Sequence, residues 1–137
     1  MSNEIAESSN VSQYQMAFDT QHGYVSISFT GDITLDLMNS CFGALLQHSK
    51  FSNNMNACYD YTDRLIEIDM VDIEKHAQFV ARHLDQRGTT YKVAMIANET
   101  LNNALLAVYK LLISKTDVEA EVFTSKTQAT EWLKIRD

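Results

Sequence analysis

Residues Asn56–Ala77 read NACYDYTDRLIEIDMVDIEKHA. Ala57, Tyr59 and Tyr61 alternate with Cys58, Asp60 and Thr62, and a period of two belongs to a strand with unlike faces. Tyr and Thr favour the pleated, half-buried surface of a sheet. Asp63, Glu67, Asp69, Asp72 and Glu74 follow. Asp69 stands just before a helical pattern, where its carboxylate can cap free backbone N–H groups. Asp72 falls in the first turn, where the helix dipole favours negative charge. The stretch is therefore a strand, an acidic loop and a helix start.

Outward from this unit the same alternation repeats. Towards the N-terminus, Tyr14, Met16 and Phe18 alternate with polar residues over 13–19. Val25, Ile27 and Phe29 share one face of a second strand, and Tyr24, Ser26 and Ser28 share the other. The turn 20–23 joins the two as a hairpin, with Gly23 free to take a positive φ. Thr34 is a predicted N-cap for a helix to about Lys50, with Leu35, Met38, Cys41, Phe42, Leu45 and Leu46 on its apolar face. Gly43 inside that helix suggests close packing, and His48 near its end suits the dipole. Residues 1–12 are polar and rich in Ser and Asn, and read as a disordered tail.

Towards the C-terminus, the spacing predicts a helix over 70–87, with Ile73, Ala77, Val80 and Leu84 buried and Gly88 ending it. YKVAMIA at 91–97 is a nearly unbroken apolar run, which suits an interior strand covered on both faces. Thr100 is a predicted N-cap for a helix over 101–114. Leu101, Ala104, Leu105, Val108, Leu111 and Leu112 line one side of it, and Leu106, Tyr109 and Ile113 widen the stripe. The surplus implies an extra packing element or a partner surface. A short strand over 118–124 precedes a last helix, capped by Ser125 with Gln128 in a capping box.

The order is β-β-α-β-α-β-α-β-α. Strand–helix–strand units with short links require right-handed crossovers and parallel pairing, and the hairpin adds one antiparallel pair. The expected fold is α/β: a mixed five-stranded sheet packed with about four helices, as one domain over 13–137.

The chain has 137 residues, 45% of them hydrophobic and 21% charged, with a net charge of −7. Such a charge is repelled by nucleic acid and by anionic membrane. No window of about eighteen apolar residues exists to span a bilayer. MSNEIAESSN lacks the basic start and apolar core of a secretory signal, so a cytoplasmic location is expected. Cys41 and Cys58 show no CxxC spacing and read as buried thiols, although spacing alone leaves a disulfide open. His76 and His83 are seven apart, two turns along a helix and too far for one metal ion. No GxSxG elbow, phosphate-binding glycine loop or zinc pattern is present. No catalytic residue, metal site or cofactor is assigned.

The segments Tyr24–Thr34 (YVSISFTGDIT), Ala57–Asp69 (ACYDYTDRLIEID), Lys92–Ala97 (KVAMIA) and Val122–Leu133 (VFTSKTQATEWL), in this order, resemble the SpoIIAA-like branch of the STAS superfamily. The resemblance spans about 13–137. Anti-sigma-factor antagonists of that type carry Asp-Ser-Ser/Thr-Gly at the start of the second helix, and phosphorylation of the first Ser blocks partner binding. The matching positions here are Asp69, Met70, Val71 and Asp72. Met70 has no hydroxyl, so no phosphosite is expected there. The resemblance implies a non-enzymatic binding or regulatory module, holding either an apolar, lipid-like ligand or a protein partner. Asp63, Asp69, Met70, Leu106 and Ile113 are the candidate contact residues. Two alternatives stand beside it: a homodimeric interaction protein, and a divalent-cation enzyme using the acidic loop from Asp63 to Asp69.

Overall fold

A computed structural model describes residues 13–135. The tail assigned to 1–12 lies outside the described residues. Strands β1 (Tyr14–Asp19), β2 (Tyr24–Phe29), β3 (Asn56–Asp60), β4 (Lys92–Ile96) and β5 (Glu119–Phe123) form one sheet in the order β1-β2-β3-β4-β5. β1 and β2 are antiparallel, and every later pairing is parallel. Helices α1 (Leu35–Leu46), α2 (Met70–Ala81), α3 (Leu84–Arg87), α4 (Thr100–Ile113) and α5 (Lys126–Lys134) connect and follow the strands.

Strand order follows chain order, so each crossover steps the same way across the sheet. Right-handed crossovers then place α1, α2 and α4 on one face. That face holds the larger core, where Val25, Ile27, Ala57, Val93 and Met95 meet Leu45, Ile73, Val80 and Leu106. The alternate residues Tyr24, Cys58, Ala94 and Ile96 meet Ala129 and Leu133 of α5 on the other face, with Trp132 and Phe123 packed at the margin. β4 is buried at all five positions, as its unbroken apolar run requires.

The caps explain the helix starts. Thr34 Oγ1 accepts from Leu37 N at 3.2 Å. Asp69 and Asp72 form a reciprocal capping box, with bonds of 2.9 and 3.3 Å. Ser125 Oγ accepts from Gln128 N at 3.3 Å. At α4 the cap is Glu99, whose carboxylate accepts from Asn102 N at 2.8 Å, and Thr100 is already helical.

Besides the cap of α4, four expectations need correction. α1 stops at Leu46 because the His48 ring accepts the Lys50 N–H at 3.0 Å and turns the chain. The helix expected over 70–87 breaks at Arg82–His83, giving α2 and the single turn α3. Gly43 has no crowding to explain it, since a Cβ there would meet nothing within 4 Å. The buried stripe of α4 is Asn102, Leu105, Leu106, Tyr109 and Ile113, while Leu101 and Leu111 are exposed. Asn102 causes that rotation: its side chain donates to Arg64 O at 2.8 Å and accepts from Ile66 N at 3.3 Å. Satisfying the loop's backbone turns this face of α4 inward.

Candidate functional site

A cavity of about 30 Å³ lies between the larger-core face of the sheet and α1, α2, α3 and α4. Its walls are mostly apolar, including Phe29, Met38, Phe42, Val80, Met95 and Leu106. Its polar groups are Tyr59, Tyr61, Tyr91, Tyr109, His76, Cys41 and Arg87. Period-two alternation in β3 brings Tyr59 to this face, and Tyr61 follows two residues on. Tyr61 stacks on Phe29 at 5.3 Å and on Tyr59 at 6.3 Å.

Arg87 is the unusual member. Its side chain is 1% exposed, yet neither terminal nitrogen has a hydrogen-bond acceptor among the described residues. The guanidinium lies 3.6 Å from the Tyr91 ring centroid and 5.5 Å from that of Phe51. Such contacts stabilise a desolvated cation by about 2 kcal/mol. Among the described residues no carboxylate lines the cavity, so none of them gives the charge a counter-ion there. Chain geometry holds the residue in place. Gly88 adopts φ 110°, and a Cβ on it would fall 2.5 Å from Asn54 N. Asn54 N donates to Arg87 O at 3.0 Å, and Asn54 Oδ1 accepts from Thr90 N at 2.9 Å.

The remaining polar groups are neutral. Burial holds His76 down to about 4. Its Nδ1 donates to Asn39 Oδ1 at 2.8 Å, which leaves Nε2 as an acceptor. Burial pushes the Cys41 thiol up to about 12 and holds Tyr59, Tyr61 and Tyr109 well above the ordinary phenol range. Both Cys41 and Cys58 are free thiols. The cavity thus holds one permanent cation among protonated phenols, and no activated nucleophile.

The sequence-derived candidates fall in two places. Leu106 lines the cavity, and Ile113 is core; each is 1% exposed. Asp63, Asp69 and Met70 lie at the surface. Asp63 ties two loops, accepting from Asn98 Nδ2 at 3.0 Å and donating its N–H to Asn98 Oδ1 at 3.1 Å. Asp69 caps α2, and Met70 is the first residue of that helix, 53% exposed. Hydrogen bonding to Asp32 raises the Glu67 carboxyl above its usual range. Among the described residues, no three His, Cys, Asp or Glu side chains converge as a metal site would need.

Arg87 was not among the candidates, although the sequence carried a signal. It lies seven residues after Val80 and three after Leu84. A charge on the buried stripe of a helix is a group to explain.

The crystal structure of an uncharacterized protein from the DUF3478 family, from Shewanella loihica PV-4, matches this chain with a TM-score of 0.52. The match covers 88% of this chain and 91% of that one, at 20% identity, and that protein is described as having a SpoIIAA-like fold. The fold is SpoIIAA-like. No family model matches the sequence, and no curated protein does. Among the described residues no helix is long and apolar enough to cross a membrane.

Proposed function

We propose that this SpoIIAA-like chain is a non-enzymatic binding module, occupying 13–137, that holds a small ligand in the cavity between the sheet and α1, α2 and α4. The observation that carries this reading is a cavity against the core face of the sheet lined by Arg87, a buried charged group without an acceptor among the described residues. A packed core normally satisfies such a group or omits it. The reading favours holding over chemical modification, because Met70 offers a thioether at the matching position for phosphorylation. A void of 30 Å³ has room for about two waters. A lipid-like occupant requires the helices to move off the sheet, so the ligand is small. A cytoplasmic location suits the two free thiols.

Saturation-transfer NMR with a mixture of small neutral and charged organic molecules tests this reading. Transfer from protein to at least one member is expected, with loss in Val80→Phe, which fills the void. Silence across the whole mixture with the wild-type chain would sink it.

Protein docking is the second reading, favoured by Leu65, Met70, Val71 and Leu101, which are 46, 53, 55 and 58% exposed. Asp63 and Asp69 would provide a polar rim around them. A homodimer would use this same set, since Leu106 and Ile113 are inside. Sedimentation of wild type and Met70→Glu checks this: a partner-sized or dimer mass should fall to the monomer in the variant.

A further inference from the structure

We propose that the cavity is a site for a small carboxylate, with the Arg87 guanidinium as its counter-ion. This deepens the binding reading and rests on it.

Arg keeps its charge at any physiological pH, so burial cannot be relieved by losing a proton. The protein nonetheless places this charge at 1% exposure, with both terminal nitrogens free of acceptors among the described residues. The Tyr91 ring covers a face of the guanidinium at 3.6 Å. That contact uses the ring's π face, and among the described residues the terminal N–H donors, themselves buried, have no acceptor. Those donors form a fork that matches the two oxygens of a carboxylate. The surrounding groups agree. Tyr59 and Tyr109 keep their O–H protons, and among the described residues no acidic side chain lines the cavity to compete. An anion there would meet donors and a cation in a medium of low dielectric, where each counts for more than in water.

Size and charge narrow the class. Room for about two waters also fits a carboxylate with one or two carbons, or the head of a slightly longer acid. One guanidinium balances one negative charge, so a phosphate dianion would leave a charge uncompensated. Phe29, Met95 and Leu106 accept a short apolar body.

The test uses the full chain and sodium acetate as probe, with acetamide as the neutral isostere and sodium chloride holding ionic strength constant. Acetate has about four heavy atoms, so its Kd is no tighter than about 0.04 mM and the titration runs through millimolar concentrations. Thermal unfolding should rise by about 5 °C at ten times Kd with acetate, and should not move with acetamide. Arg87→Met should abolish the rise, and Arg87→Lys should weaken it, because a point charge cannot reproduce the fork. Equal stabilisation by acetamide overturns the carboxylate assignment and leaves the binding reading intact. An acetate effect that persists in Arg87→Met, or one that does not exceed chloride, also overturns it. A larger effect of inorganic phosphate overturns the planar monoanion. Should Arg87→Met not fold, nuclear Overhauser contacts decide on the wild-type chain. Contacts from the acetate methyl to Met95 and Leu106 support the site, and their absence at saturating acetate rejects it.

Discussion

His76 shows how a single buried residue ties stability to pH. Its imidazole is 9% exposed, and burial holds its pKa near 4 against an ordinary 6.5. The unfolded chain therefore takes up the proton first as acid is added. The sign follows: stability from neutral His76 is complete above about pH 6.5 and is lost as pH falls towards 4. At pH 4.5 the loss amounts to roughly 2–3 kcal/mol. Urea unfolding at pH 7 and pH 4.5 measures it. His76→Gln, which keeps a donor for Asn39, should flatten the difference between the two pH values by about that amount. If wild type and variant lose equal stability on acidification, His76 is not the group responsible. Arg87 differs in kind, because no accessible pH neutralises it and only a ligand or water can answer it.

At the scale of elements, α1 contains a residue that its packing does not require. Gly43 sits mid-helix, and a methyl there would meet nothing within 4 Å. Gly43→Ala should stabilise the chain by about 0.5–1 kcal/mol, read as a higher urea midpoint at unchanged slope. A lower midpoint would mean that the helix needs the gap. The elements themselves were legible in the sequence. Strand alternation and caps at Thr34, Asp69 and Ser125 are local signals, and chain order with right-handed crossovers then fixes the sheet. What was not legible depended on tertiary partners. The α4 stripe pointed at Leu101 and Leu111 by hydrophobicity, but Asn102 turns inward to serve the loop at Arg64 and Ile66. One polar side chain with two backbone partners, one buried and one half-buried, outweighs two leucines that lose little by facing water. The site was missed for a related reason. Arg87 is the last residue of the single helix expected over 70–87, whereas the break at His83 and the approach of Gly88 to Asn54 bury it.

Across the whole molecule, the two faces of the sheet are covered unequally. The cavity and most of the core lie on the face with α1, α2 and α4, while among the described residues α5 is the helix that packs on the other. α5 has nine residues, too few for a helix to persist without packing. It is held by Ala129 and Leu133, and by a small polar set. Lys92 Nζ donates to Trp132 O at 3.2 Å and Ile135 O at 2.8 Å, closing the carbonyl end of the helix. Asn56 Nδ2 donates to Leu133 O at 3.2 Å. Such an element should open on its own, before the sheet does. Native-state hydrogen exchange should therefore show the amides of α5 exchanging through an opening several kcal/mol easier than that of β4. Lys92→Met removes both bonds to the helix end and should lower the α5 opening energy by about 1–3 kcal/mol. Because the cavity lies across the sheet, acetate protection at Arg87 should remain in that variant. Equal exchange energies for α5 and β4 would show instead that both faces unfold as one unit, with α5 as much a part of the cooperative core as the helices over the cavity.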